Sequence, residues 1–119
     1  MRVLIIDDSP TEVYKLTTIL EKNGYFVDVA NTGEEGLAQA KASPPDIILM
    51  DVVMPGLNGF QATRQLSRAA ETVDVPVVIV STKDQATDKV WGMRQGARAY
   101  LVKPISETQL LKAIKDALS

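Results

Sequence analysis

Residues 46–59 read Asp46-Ile47-Ile48-Leu49-Met50-Asp51-Val52-Val53-Met54-Pro55-Gly56-Leu57-Asn58-Gly59, and this stretch decides the architecture of the chain. Its four consecutive apolar residues are too few for a helix and are followed by Pro and Gly, which predicts a strand buried on both faces. The strand ends at a carboxylate, Asp51. An Asp in that position is usually a turn former or a helix cap, so its role depends on its neighbours.

The same kind of strand recurs along the chain, alternating with helices. Short apolar runs at 3–6, 26–30, 77–80 and 99–102 predict four more strands. Five helical segments follow the five strands, and each begins at a capping residue. The predicted caps are Ser9, Thr32, Asn58, Asp84 and Ser106.

Strands that alternate with helices predict an α/β fold built on one five-stranded parallel sheet, covered by helices on both faces. Asp28 interrupts the second strand, so we expect that strand at an edge of the sheet with one face in water. In the third helix we expect Phe60, Leu66 and Ala70 on the buried side.

Length and composition restrict the possible classes of function. The chain has 119 residues, 45% of them hydrophobic, which suits one domain spanning 1–119 with its own core. The net charge is −2 and there is no basic run, so we expect no binding to nucleic acid or to a membrane. The chain has no Cys and no His, which excludes disulfides, thiolate chemistry, imidazole ligands and phosphohistidine. No apolar run is long enough for a signal peptide or a membrane span, and we expect a cytoplasmic protein.

Polar side chains terminate four of the five predicted strands. Because the carboxyl ends of parallel strands meet at one edge of the sheet, where open α/β sheets bind their ligands, these side chains should converge. They are Asp7, Asp8, Asp51, Ser81 and Lys103.

Three carboxylates at one edge need a cation. Two like charges about 4 Å apart repel by about 4 kcal/mol at an effective dielectric constant near 20. A set of oxygen ligands without His or Cys points to Mg²⁺, with Mn²⁺ as the alternative. Lys103 and Ser81 suit phosphoryl oxygens, and a carboxylate can act as a nucleophile, so Asp51 is the predicted phosphoryl acceptor.

Taken in order and at these spacings, five features of the sequence resemble the receiver domain of two-component response regulators, over the whole chain. They are Asp7-Asp8, Asp51, Met54-Pro55-Gly56 with Gly59, Ser81, and Lys103-Pro104. The resemblance implies a CheY-like, doubly wound sheet with strand order 2-1-3-4-5. Residues 8–12, 54–66 and 82–92 also resemble the stand-alone receivers that control twitching motility by type IV pili in chemotaxis-like systems.

The resemblance implies a role for each residue of the site. A histidine kinase would phosphorylate Asp51. Asp8, Asp51 and the backbone carbonyl of Val53 would hold Mg²⁺, and Asp7 would act through a bound water. Ser81 corresponds to the switch hydroxyl, and Tyr100 to the aromatic residue that turns inward with it. Lys103-Pro104 is commonly a cis peptide in this family.

Two further sets of residues are assigned in the same way. Val53 and Lys83 flank the site and should slow hydrolysis of the phosphorylated form. Signalling should pass to a downstream protein through the face of the fourth helix, fifth strand and fifth helix. That face carries Lys89, Met93, Tyr100 and Lys112. We expect Trp91 to be partly buried.

Three other functions are compatible with parts of this pattern. The protein could serve only as a phosphate sink for the kinase, since the same residues suffice. An aspartate-based, Mg²⁺-dependent phosphatase would need a second Asp at the position of Val53, so acceptance with slow release is favoured over enzymatic turnover. A flavodoxin-like cofactor carrier would need a phosphate-binding loop where Asp7 and Asp8 stand.

Overall fold

The chain forms five strands and five helices in strict alternation. A computed structural model describes all residues from 1 to 119. The elements are β1 (Arg2–Ile6), α1 (Pro10–Lys22), β2 (Phe26–Ala30), α2 (Gly33–Ala42), β3 (Ile47–Met50), α3 (Gly59–Arg68), β4 (Val77–Ser81), α4 (Ala86–Arg94), β5 (Ala99–Val102) and α5 (Glu107–Leu118).

All five strands pair in parallel, in the order β2-β1-β3-β4-β5. The predicted fold class is therefore confirmed, including the edge position of β2, where Asp28 is exposed. Ile6 pairs with Met50 in the register of β1 and β3. Since Asp7 and Asp51 are the next residues of these two strands, they lie at the same level on the carboxyl edge of the sheet.

Four of the five predicted helix caps are confirmed. Each of these side chains accepts a hydrogen bond from the backbone N–H three residues further on; they are Ser9, Thr32, Asn58 and Ser106. The prediction for α4 is wrong, because Gln85 and not Asp84 precedes its first turn. There the carboxylate of Asp88 accepts from the N–H of Gln85 at 3.2 Å, which fixes the start of the helix one residue later.

The predicted buried side of α3 is wrong at its end. The buried residues of the helix are Gly59, Ala62, Thr63 and Leu66, and Ala70 is exposed beyond the last turn. The Thr72 hydroxyl donates to the Leu66 carbonyl at 2.7 Å, the acceptor that residue 70 would need to continue the helix. The side chain of Thr72, in the following loop, therefore ends α3 before Ala70, the last residue that the apolar pattern had placed on the buried side.

The core lies in two layers, one on each face of the sheet. Alternate residues of the strands pack against α2 and α3 on one face, where Leu37 and Leu66 are buried, and against α1 and α5 on the other, where Leu20 and Ile114 are buried. Both layers share the central strands, so the sheet is covered on both sides. None of the helices combines the length and the apolar character that a membrane crossing requires.

Candidate functional site

Three carboxylates converge at the carboxyl edge of the sheet, as predicted. Asp7 and Asp8 follow β1 and Asp51 follows β3. One oxygen atom from each lies within 4.8 Å of the others. Asp7 and Asp51 are buried, with 2% and 8% of their surfaces exposed, and Asp8 faces the solvent. The cluster is thus open on the side of Asp8 and enclosed on the side of Asp7.

Lys103 supplies a positive charge inside this cluster. Its Nζ donates to Asp7 Oδ2 at 2.9 Å and lies 3.6 Å from Asp51 Oδ1, and only 7% of its side chain is exposed. The N–H of Lys103 donates to the Ser81 carbonyl at 2.8 Å, which fixes the chain at the end of β5. The Lys103-Pro104 peptide is cis, as the resemblance implies. One ammonium therefore compensates two buried carboxylates and leaves the third unpaired.

The surroundings of Asp51 oppose its charge. Burial and the negative charge of Asp7 raise the pKa of Asp51 from 3.8 to about 6, although Lys103 acts in the opposite direction. Burial also works against the charge of Lys103, but the hydrogen bond to Asp7 and the charge of Asp51 raise the pKa of Lys103 above 10.5. At neutral pH the site thus holds a charged lysine and an Asp51 carboxylate that is ionised at a cost in free energy.

The donor atoms of the cluster fit Mg²⁺. All are oxygens, and at most two or three carboxylates would contact the ion, which leaves positions for water and for a phosphoryl oxygen. Asp7 has a second role that fixes its orientation, because its Oδ1 accepts from the N–H of Ser9 at 2.9 Å, at the start of α1. The arrangement can bind a hard divalent cation beside a carboxylate nucleophile, with Lys103 ready to contact an anion.

The loop between β3 and α3 packs directly on the backbone of Asp51. A Cβ atom at Gly59 would collide with the Asp51 carbonyl oxygen, and the N–H of Gly59 donates to the Val52 carbonyl at 3.0 Å. Glu34 holds the other side of the loop, because its carboxylate accepts from the N–H of Leu57 at 3.3 Å. Glu34 was not among the predicted site residues. Its only sequence signal is its place in the first turn of α2, which by itself indicates helix capping.

The two predicted switch residues lie on neighbouring strands. Ser81 ends β4 and is fully buried, and its Oγ accepts from the N–H of Lys83 at 3.2 Å. Tyr100 lies in β5, and its hydroxyl donates to the Lys83 carbonyl at 2.8 Å. Burial raises the pKa of Tyr100 above 10.0, while the nearby Ser81 hydroxyl opposes that shift. The loop after β4 is thus held from two sides, by Ser81 and by Tyr100.

Val53 and Lys83 line one small cavity of about 400 Å³, together with Val52, Met54, Asn58 and Phe60. Val53 is 59% exposed. Lys83 Nζ lies 3.9 Å from Asp88 Oδ1, at the start of α4. The two residues predicted to control hydrolysis therefore share a cavity that adjoins Val52, the residue after Asp51.

The predicted output face consists of α4, β5 and α5. Lys89, Met93 and Lys112 are exposed on its helices and Tyr100 is half-buried on its strand. Trp91 is 49% exposed, beside Val90 on the outer side of α4. About half of the Trp91 surface is thus buried. Three large apolar side chains are exposed on α4: Val90, Trp91 and Met93.

Comparison with known proteins places the chain in a family. Residues 3–115 match the response regulator receiver domain. The chain is 63% identical over 118 residues to protein PilH of Pseudomonas aeruginosa, which covers 99% of this chain and 98% of that protein. It is 35% identical over 117 residues to the alkaline phosphatase synthesis transcriptional regulatory protein PhoP of Bacillus subtilis, which covers 98% of this chain and 48% of PhoP.

Solved structures agree with the sequence matches. The chemotaxis protein CheY4 of Vibrio cholerae superposes with a TM-score of 0.92 at 32% identity, with 98% of both chains covered. The receiver domain of the sensor histidine kinase PA1611 of Pseudomonas aeruginosa superposes with a TM-score of 0.91 at 25% identity, covering 98% of this chain and 96% of that one, and it holds a magnesium ion in its active-site cleft. The sequence matches, the fold and the acidic edge of the sheet together show that this chain belongs to the response regulator receiver domain family.

Proposed function

We propose that this protein is a phosphorylation-dependent response regulator, in which Asp51 accepts a phosphoryl group from a histidine kinase. One observation carries the proposal: three carboxylates lie within 4.8 Å of one another, and a buried ammonium contacts two of them. Two of these acids and the lysine lie in the interior, where unbalanced charge costs free energy. Because the cluster lowers the stability of the fold, a functional role explains it better than a structural one.

Mg²⁺ is the proposed cofactor, with Mn²⁺ as a substitute. Asp8, Asp51 and the backbone carbonyl of Val53 would hold the ion, and Asp7 would act through a bound water. When bound, the ion supplies positive charge to the oxygens of the transferring phosphoryl group. The magnesium ion in the related PA1611 receiver domain supports this assignment.

Phosphoryl transfer to Asp51 requires no acid or base from this chain. A carboxylate oxygen of Asp51 attacks the phosphorus of the phosphohistidine on the kinase, and a P–O bond forms as the P–N bond breaks. The electron pair of that bond returns to the imidazole of the kinase, which then takes a proton from solvent. Lys103 stabilises the negative oxygens of the group in transit, and its contact with Asp51 places it for this role.

The proposed output is a change at the face of α4, β5 and α5. Ser81 would move toward the phosphoryl group and Tyr100 would turn inward, which would shift a pre-existing equilibrium of that face. Lys89, Met93, Tyr100 and Lys112 would contact a downstream protein. The 63% identity to PilH supports the further proposal that the system controls twitching motility. Val53 and Lys83 would set the lifetime of the phosphorylated form.

The decisive experiment is incubation with acetyl phosphate, followed by intact mass spectrometry. We expect an adduct of about 80 Da in the presence of Mg²⁺, none with EDTA, and none in Asp51→Asn. Asp74→Asn, at an exposed loop acid, is the matched control and should react like the wild type. Steady release of phosphate without an adduct would instead indicate a phosphatase. If neither an adduct nor phosphate release were seen, the result would favour the flavodoxin-like cofactor carrier.

A second experiment addresses the partner. The wild type and Asp51→Asn are each immobilised with and without acetyl phosphate and Mg²⁺ and are exposed to extract from the same cell. We expect a protein that binds only the phosphorylated wild type. Efficient transfer from the kinase without any such protein would favour the phosphate sink.

A further inference from the structure

A basic groove lies between α2 and α3 and begins at the loop after β3; none of its lining residues belongs to α4, β5 or α5. It has a volume of about 500 Å³, and three of its lining residues are cations: Lys41 from α2, and Arg64 and Arg68 from α3. Gln61 and Gln65 line it as well, and no acidic side chain does. The chain as a whole carries a net charge of −2, so this concentration of positive charge departs from its average.

The three cations are free of partners within the chain. None of them forms an ion pair, whereas Lys22, Lys103 and Lys112 each have a carboxylate partner at 2.9 Å or less. All three are exposed. Their positive charge is therefore available to a ligand and is not used to hold the fold.

Helix-end electrostatics explain only part of this arrangement. Lys41 and Arg68 stand in the last turns of α2 and α3, where a cation interacts favourably with the helix dipole. Arg64 lies one turn before Arg68, nearer the middle of α3, and that effect falls off within the last turn. The two arginines are four residues apart and so project from one side of the helix, about 6 Å apart along its axis.

Apolar surface accompanies the charge. Leu57 and Ala69, both partly buried, line the groove at opposite ends of α3. The methylene stems of Arg64 and Lys41 add to this apolar surface. The groove therefore combines an apolar contact with cations at its rim, the composition of a protein-docking groove.

We propose that this groove binds an acidic segment of a partner protein, with carboxylates paired to Arg64, Arg68 and Lys41 and an apolar side chain against Leu57. Guanidinium groups bind carboxylates through two parallel hydrogen bonds, and two acids four residues apart on a partner helix match the spacing of the two arginines. A nucleic acid fits less well, because its binding strengthens with the number of phosphates that are neutralised and this groove offers only three cations. The proposal is independent of the phosphorylation chemistry.

The test uses a defined probe. The probe is a labelled 16-residue helical peptide that carries pairs of Glu residues four positions apart, with Leu residues placed between successive pairs. It is titrated with the full chain at low salt, and binding is followed by fluorescence anisotropy. We expect binding to the wild type and a loss of about tenfold or more in Arg64→Glu/Arg68→Glu. Lys15→Glu/Lys115→Glu removes two exposed, unpaired lysines from other helices and is the matched control, which should bind as the wild type does.

Backbone amide shifts locate the contact. We expect peptide-induced shifts at residues 57–69 and around Lys41, with the amides of β5 and α5 unchanged. If the double variant does not keep its far-UV spectrum, Lys41→Glu on the other helix serves in its place and should weaken binding by several-fold. Equal binding by variant and control, no binding to the wild type, or shifts elsewhere would each overturn the proposal. Stronger binding to single-stranded DNA, or to phosphatidylcholine vesicles with one third phosphatidylglycerol, would overturn it in favour of a phosphate ligand.

Discussion

At the scale of single residues, the site is a set of buried charges that do not balance. Lys103 contacts Asp7 and Asp51, both buried, and Asp8 adds a third carboxylate at the solvent side. Such an arrangement lowers the stability of the fold, and a bound cation or a pH that neutralises one of the acids removes part of that cost.

The first prediction concerns Asp51 and pH, in the absence of divalent metal. The pKa of Asp51 is about 6 in the folded chain and 3.8 in the unfolded chain, so the folded state holds the proton more tightly between these values. The stability from this group is present below pH 3.8 and is lost as the pH rises through about 6, by at most about 3 kcal/mol. Asp51→Asn stays neutral and should unfold at higher urea concentration than the wild type at pH 7.5, in EDTA. At pH 4 the urea midpoints of the two proteins should nearly coincide. A difference between the midpoints that is the same at pH 4 and pH 7.5 would contradict the raised pKa of Asp51.

The second prediction concerns the loss of the buried ammonium. Lys103→Ala leaves Asp7 and Asp51 facing each other without a cation and should lower the free energy of unfolding by about 3 kcal/mol at pH 7.5. The loss should shrink at pH 4, or in the double variant with Asp51→Asn. Lys22→Ala removes an exposed ion pair to Glu107 and should lower the free energy of unfolding far less, because solvent screens that pair. Equal losses in urea titrations of the two variants would show that the position of Lys103 has no special electrostatic weight.

The third prediction concerns the lifetime of the phosphorylated form. Val53 presents an apolar side chain beside the site, and it shares its cavity with Lys83. An amide in place of Val53 can hydrogen-bond a water molecule, so Val53→Asn should lose its phosphoryl group several-fold faster than the wild type. Decay of the adduct after removal of acetyl phosphate gives the rate. Val73→Asn, at another exposed valine in the loop after α3, should decay at the wild-type rate; the same rate in all three would remove the role of Val53.

At the scale of secondary-structure elements, α3 is the connector between the site and α4. Gly59 begins the helix against the backbone of Asp51. The Thr63 hydroxyl donates to the Gly59 carbonyl at 2.7 Å inside the helix. Ser67 lies at the other end, with its Oγ 2.6 Å from the carbonyl of Gln95, the residue that ends α4. One helix thus touches both the loop that carries Asp51 and the C-terminal end of α4.

Ser67 provides the prediction at this scale. Its Oγ also lies 2.7 Å from the Thr63 carbonyl, and a single hydroxyl proton can serve only one of these two acceptors at a time. Ser67→Ala should lower the free energy of unfolding by about 1 kcal/mol and speed amide exchange at the end of α4. Thr18→Ala removes an exposed hydroxyl that donates only within α1, to the Tyr14 carbonyl, and should leave α4 unchanged. Unchanged exchange at α4 in Ser67→Ala would show that this contact does not hold the two helices together.

At the scale of the whole molecule, the central sheet joins two separate apolar layers. Residues of opposite parity in β1, β3 and β4 belong to opposite layers, so each central strand contributes to both. Neither layer can therefore lose its strands without disrupting the other layer. We therefore expect the chain to unfold as one cooperative unit.

Leu20 tests this expectation. It is fully buried in the layer with α5, whereas Trp91, the only tryptophan, reports on α4 across the sheet. Leu20→Ala should cost about 2–5 kcal/mol, and the urea transition seen by Trp91 fluorescence should shift as far as the transition seen by circular dichroism. Lys15→Ala, an exposed change in the same helix, should shift neither. A Trp91 transition that stays in place in Leu20→Ala would mean that the two layers unfold separately.

The sequence by itself determined the alternation of strands and helices, four of the five helix caps and the set of residues at the carboxyl edge of the sheet. All of these depend on short-range patterns: apolar runs, capping residues, and the rule that parallel strands end at one edge. The order of the strands came only from the resemblance to receiver domains, because alternation alone does not say which strands are neighbours.

Only the tertiary structure decided the remaining features. Lys103 donates to Asp7, a residue 96 positions away, and contacts Asp51 less closely. Arg64 of α3 and Lys41 of α2 line one groove. Each of these depends on the distance and direction between side chains far apart in sequence, which packing fixes and a local pattern does not contain.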